Sequence, residues 1–478
     1  MSGQFKIASN MASNKYIDTG KVVAEELASF ALDLSLADIP DEVVQHALLC
    51  ITDAIGIAFA SHGYPFASKG MQASTNLGSS GEGLVIGYEK TFDCRDAALI
   101  NGLLIHGLDY DDTHSESVIH ATSSSLPTVI AGAEIWDATP SELLLAYIIG
   151  VETSARIGLI SGGKFQKAGF HPTGLIGIFG STLAASRIAK LSIPQIVSAQ
   201  GIALSMASGS MQFLEDGSWT KRIHPGLAAQ SALNACSLAK ENFKGPSDAY
   251  SGRYGLFPLF LEQTDVDPTE ILTLLGENWE LLNVAIKPYP VCHYNHACMD
   301  AAVTCVSENQ IDPVDIYSIK VYLHSDQFDV VCRPEDRKKR PRSEYDAKFS
   351  IQYCVATSIY KLGFGLTELD ETAINNELVL ALADKISFHH WSESQFPHFF
   401  SGAIEIKTQS GDSFFIEEKV NRGSSRRRLA IEEVRQKFDD NVRITSNNEH
   451  ASLLWQAIMS IPKTESTSAL FELLGSRR

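Results

Sequence analysis
The chain has 478 residues, 44% of them hydrophobic and 20% charged, and carries a net charge of −18. That length exceeds one compact core and predicts two domains of an ordinary globular protein. The acidic balance excludes nucleic acid and an anionic membrane surface as partners, so any handling of acidic ligands must rest on a few placed lysines and histidines. No run approaches about eighteen apolar residues, so no membrane span is expected. The eight cysteines are scattered without a CxxC pair, and residues 1–20 read as a polar tail without the pattern of a signal or transit peptide. Reduced thiols in the cytoplasm follow, with a mitochondrial location the alternative.

Residues 21–278 read as almost wholly helical. Ile39-Pro40-Asp41 places a proline in the first turn of an apolar helix. A second run with helical spacing, Ala97, Leu99, Ile100, Leu103 and Leu104, is predicted to stop at Gly107. Directly after it come Asp109, Asp111, Asp112, Thr113, His114, Ser115, Glu116 and His120. Imidazoles that change charge near neutral pH, with carboxylates to tune them, suit proton transfer. Apolar runs on both sides predict that this loop is held at a cleft between buried helices. Thr139-Pro140-Ser141-Glu142 is a capping box that opens another helix, and Ser192-Ile193-Pro194 opens a further one.

His171 precedes Pro172 at a predicted helix start, where free backbone N–H groups favour an anion. Gly174, Gly177 and Gly180 recur every third residue behind it, a spacing for close helix packing. The basic run around Lys221 fits either a carboxylate site or a surface turn, and Pro225 is predicted to open the helix that follows. Lys287 falls where the texture changes, at the expected join of two domains, a common place for ligands. Residues 279–428 read as a smaller α+β domain, with a strand near 315–325 and a hairpin over 403–420 turning at Ser410-Gly411-Asp412. Residues 429–478 return to helix, so the smaller domain is an insertion. Cys292, His293, His296 and Cys298 fit no familiar zinc spacing, and adjacent Cys-His cannot easily both bind; no metal is expected.

Taken in order and spacing, LDYDDTHSESVIH, FHPT, TKRIHPG, KPYPVCHYNH and AKFSIQY resemble the MmgE/PrpD family, over about residues 22–460. The resemblance implies a mainly α protein: a large all-helical domain (21–278 and 429–478) with a smaller inserted α+β lid (279–428). It also implies a homodimer and no cofactor. The family includes 2-methylcitrate dehydratases, cis-aconitate decarboxylases and an iminodisuccinate epimerase, all of which move a proton beside a carboxylate. Carried over by motif, Asp109, Thr113 and His120 match the polar loop of the family's site, His171 its second histidine, and Lys221 and Lys287 its lysines. On this reading the lysines clamp carboxylates, His120 and His171 form the acid/base pair, and Asp109 orients an imidazole. His293 and the lid residue Tyr353 are added as substrate-binding candidates. The run Ala121-Thr122-Ser123-Ser124 after His120 departs from the HisProSerAspAsn of methylcitrate dehydratases. A cofactor-independent lyase on a small di- or tricarboxylic acid, of the cis-aconitate decarboxylase type, is therefore favoured. Dehydration, epimerisation and non-catalytic binding of a small acid remain the alternatives.

Overall fold
The computed structural model describes residues 19–261 and 266–475; most of the tail expected over residues 1–20 lies outside them. The protein is mainly α. Helix starts follow the local chemistry. Thr139 caps the Pro140–Leu159 helix by accepting from the Glu142 N–H, and the Glu142 carboxylate reaches back to the Thr139 N–H at 2.9 Å. The helix Cys94–His106 ends at Gly107, as its pattern predicts. The glycine repeat serves packing: a Cβ on Gly177 would run into Ser124, and one on Gly180 into Ser154 and the Gly150 carbonyl.

Pro225 does not open its helix. It lies inside Thr220–Lys240, which starts more than a turn earlier and leaves the Lys221 carbonyl without its usual i+4 donor. The consequence is functional, because Lys221 sits in the first turn of a rigid helix and not in a turn on the surface. The helical half is also not purely helical: Gly83–Val85 and Tyr88–Phe92 pair as a hairpin.

Among the described residues two large apolar cores form, besides a small cluster of Phe213, Tyr345 and Phe349. The larger draws on residues from Val23 to Ile286 and again from Val434 to Leu474; the smaller runs from Tyr289 to Ile406. The smaller one is built on a four-stranded sheet in the order Ile386–His390, Ile316–Leu323, Gly402–Thr408, Ser413–Glu418. Its last two strands are the expected hairpin, with Ile404 opposite Ile416. Helices His296–Glu308 and Ile351–Lys361 contribute to the same core.

One helix, Asp41–Ser61, has the length and a mean hydropathy of 1.7 that suffice to cross a membrane, contrary to the sequence expectation. Here it is a core helix: it packs against Ile431–Arg443, and its buried Asp53 lies 2.7 Å from the Lys437 ammonium. Thr113–His114 pairs antiparallel with Val284–Ala285 inside the larger core, just before Lys287 and the join to the smaller one. The basic run near 421–428 is knitted into this join. Ile286 N donates to Gly423 O at 3.2 Å, and Asn421 is wholly buried.

Candidate active site
A cavity enclosing about 600 Å³ between atoms, its open mouth included, lies between the two cores. Asp109, Thr113, His120, His171, Lys221, Lys287 and His293 all line it, although they are scattered over nearly two hundred positions. The loop after Gly107 is bent to do this. Asp109 has φ 54° and Val118 φ 55°, left-handed values that cost a side-chain-bearing residue energy and that surrounding contacts must impose.

At Asp109 those contacts are ammonium groups. Lys221 Nζ donates to Asp109 Oδ1 at 2.5 Å, and Lys287 Nζ lies 3.4 Å from the same oxygen. Burial favours the neutral acid, but the two lysines overrule it and hold the Asp109 carboxyl well below its usual range. Three consecutive carbonyls are then each held by a different buried lysine. Lys348 donates to Leu108 O at 2.6 Å, Lys287 to Asp109 O at 2.9 Å and Lys437 to Tyr110 O at 3.0 Å. Lys437 also donates to Lys287 O at 2.8 Å, tying the two clamped segments together. Asp109 therefore does not orient an imidazole, as the sequence reading expected. Its carboxylate is taken up by lysines, and a different acid attends the histidines.

His120 Nδ1 lies 2.7 Å from the Asp112 carbonyl oxygen, which can only accept. The ring thus carries its proton on Nδ1 and leaves Nε2 bare, the arrangement of a general base. Burial, set against the pull of Asp111, pushes the His120 pKa down to about 3. The Asp111 carboxylate is 3.7 Å from His120 Nδ1 and 2.7 Å from His106 Nδ1. A negative charge in that place stabilises an imidazolium at His120 once it gains a proton. Thr113 Oγ1 stands 3.4 Å from the same nitrogen. His171 is the N-cap residue of the Pro172–Ile188 helix, and its Nδ1 meets His224 Nδ1 at 3.0 Å. One of that pair must donate and the other accept. His171 and His120 have ring centroids 6.4 Å apart, close enough to serve one small ligand.

A second expectation needs correction. Tyr353 is not at this cavity: it is buried in the smaller core, with its hydroxyl donating to Glu368 O at 2.6 Å. The phase of the Ile351–Lys361 helix turns it inward, away from the larger core. His106, Asp111, Lys348 and Lys437 were not singled out from sequence, although Asp111 stands in the polar loop and Lys348 within AKFSIQY. His114 points away, pairing with Glu280 at 3.0 Å.

His106, Asp111 and His120 offer donor atoms within 4.8 Å of one another, the geometry of a metal site. His106 Nδ1 and Asp111 Oδ2 are hydrogen-bonded to each other and His120 Nδ1 is engaged with a carbonyl, whereas His106 Nε2 and Asp111 Oδ1 have no hydrogen-bond partner among the described residues. The Cys292–Cys298 set is dispersed, with Cys298 Sγ against the Tyr322 and Ala403 carbonyls and His296 Nε2 on Val291 O.

Behind the loop, Asp112 is buried against Thr122, and burial with the neighbouring Asp111 and Asp53 pushes its carboxyl up to about 8. The unfolded value is near 3.9, so its stabilising contribution is full below about pH 4 and is lost as pH rises through the folded value. Asp112→Asn fixes the neutral form at nearly constant shape. Relative to wild type, the variant should gain stability steadily from about pH 4 to pH 8 and level off above, in denaturant titrations. A constant difference across that range would contradict the assignment.

The cavity thus brings together two lysines, Lys221 and Lys287, and three histidines, His120, His171 and His293. The MmgE/PrpD N-terminal domain matches residues 25–269 and the MmgE/PrpD C-terminal domain residues 289–458. The chain belongs to the MmgE/PrpD family. It is 24% identical to a cis-aconitate decarboxylase-like protein of Aspergillus oryzae, over 95% of this chain and 97% of that one. It is also similar to the cis-aconitate decarboxylases of Aspergillus terreus, at 27% identity over 84% and 85% of the two chains, and of Homo sapiens, at 26% over 95% of each.

Proposed function
We propose that the protein is a cofactor-independent lyase that removes CO₂ from a small di- or tricarboxylic acid of the cis-aconitate type. It would act as a cytoplasmic homodimer in which the smaller core serves as a lid over the cavity. The observation that carries this reading is the placement of Lys221 and Lys287 on Asp109 beside the bare Nε2 of His120. The names of the relatives support the substrate class.

The chemistry follows from these groups. A substrate carboxylate competes with Asp109 for the two ammoniums, which then hold it in a cavity largely sheltered from water. Breaking the C–C bond to a carboxylate releases CO₂ and leaves its electron pair delocalised into a neighbouring unsaturated carboxylate. Fixed ammoniums stabilise that enolate-like charge far better here than in bulk water. A proton must then reach carbon. The ligand-free site keeps His120 neutral, and burial with neighbouring cations does the same for His171. Bound carboxylates reverse that balance by adding negative charge beside the rings, so an imidazole takes up a proton with the substrate and delivers it to carbon. Turnover of candidate acids, followed by product mass and chiral chromatography, tests the reading: dehydration would remove water instead of CO₂, epimerisation would invert a centre at constant mass, and binding alone would change neither.

A further inference from the structure
His293 lines the cavity from a short turn, His293–Asn295, and is 3% exposed. Its Nε2 lies 2.9 Å from Asn421 Nδ2, while its Nδ1 is buried with no hydrogen-bond partner among the described residues. Asn421 is wholly buried, and its orientation is dictated from the far side: the Phe400 backbone N–H donates to Asn421 Oδ1 at 3.0 Å. A backbone N–H can only donate, so the carbonyl end of the amide faces Phe400 and the NH₂ end faces His293. An NH₂ group likewise only donates, so His293 Nε2 must be bare. A neutral ring bare at Nε2 carries its proton on Nδ1. Burial above all, then Lys287 and His120 on the cavity side, keeps a second proton off against the pull of Asp109 and of the Arg422 backbone. Phe400 also lines the cavity, its ring edge-on to His293 at 5.2 Å, so Asn421 anchors both residues.

We propose that Asn421 is a positioning residue that fixes His293 as a neutral hydrogen-bond donor, its Nδ1–H offered to an oxygen of the bound acid. This rests on the polycarboxylate reading for its ligand but not for its tautomer. His293 is then neither the base nor the acid of the reaction. It is a third, uncharged contact that reads substrate oxygens beside the two ammoniums. A buried donor left without a partner is costly, and a ligand oxygen relieves that cost on binding.

The test is nitrogen NMR on the full-length protein labelled in histidine, with His293 assigned by its loss in His293→Gln. Wild type should show Nδ1 protonated and Nε2 bare at neutral pH. Asn421→Asp replaces a donor by an acceptor and should move the proton to Nε2. Tricarballylate, a saturated tricarboxylic acid, serves as a non-reacting probe. Calorimetry should show its affinity for Asn421→Asp at least about tenfold weaker, the scale of one hydrogen bond to a charged group. Protonation of wild-type His293 at Nε2 overturns the proposal even if the variant does not fold. So does unchanged tricarballylate affinity in a folded variant. A wild-type protein with the expected tautomer that binds no polycarboxylate would sink the functional reading instead, and with it the ligand half of this one.

Discussion

Replacing His120 with Gln should lower kcat by at least about 10²-fold, the typical contribution of a positioned proton-transfer group, while tricarballylate still binds. Gln keeps a polar group of similar reach but cannot take up a proton. The anion is held by Lys221 and Lys287, on other elements, so ground-state binding survives. His114→Ala supplies the control. Its ring is engaged with Glu280 and does not line the cavity, so its kinetic effect should stay within a few-fold. Steady-state kinetics and calorimetry on both variants, with folding checked by circular dichroism, decide the point. A dead His114→Ala beside a near-normal His120→Gln would mean that the loop has been read the wrong way round.

Lys437→Met should be the most damaging change to stability, costing about 3–5 kcal/mol, the usual result of breaking one side of a buried ion pair. Lys437 is buried and serves three acceptors: Asp53 and the carbonyls of Tyr110 and Lys287. Burial already pushes the Asp53 carboxyl up to about 6 against the pull of Lys437. Without the lysine it would take a proton at neutral pH, yet the two carbonyls would still lack a donor. Asp53→Asn added to Lys437→Met should therefore recover only part of the loss. Chemical denaturation of the wild type and the two variants measures this. A cost for Lys437→Met below about 1 kcal/mol would show that the clamp on the loop is not holding the fold.

Much of this site was legible in the sequence because its chemistry is concentrated in short stretches. The polar loop from Asp109 to His120, the His171-Pro172 helix start and the KPYP segment each combine a reactive side chain with a recognisable turn or helix signal. The clamp on residues 108–110 was not legible, because its lysines come from 240, 178 and 327 positions away. Lys437 in particular sits in RQKFDD, which reads as an exposed charged helix face until Ile431–Arg443 packs against Asp41–Ser61. The resemblance gives Asp109 the task of orienting an imidazole, whereas its carboxylate's partners are lysines brought in by the fold. Tyr353 went astray for a local reason: a tyrosine in a helix of the smaller domain can face cavity or core, and the helical phase decides it. Pro225 shows the limit of start signals, since a buried helix tolerates the loss of one backbone hydrogen bond.

Turnover in deuterated water is the most direct test of the central claim. The purified protein is incubated with cis-aconitate and with a panel of related di- and tricarboxylic acids, and CO₂ and product mass are followed together. The account predicts that one acid of this class loses one CO₂ per product and gains a single solvent deuterium at carbon, and that His120→Gln abolishes both. Contradiction would come from a panel in which no acid is decarboxylated, or from decarboxylation that proceeds undiminished without His120.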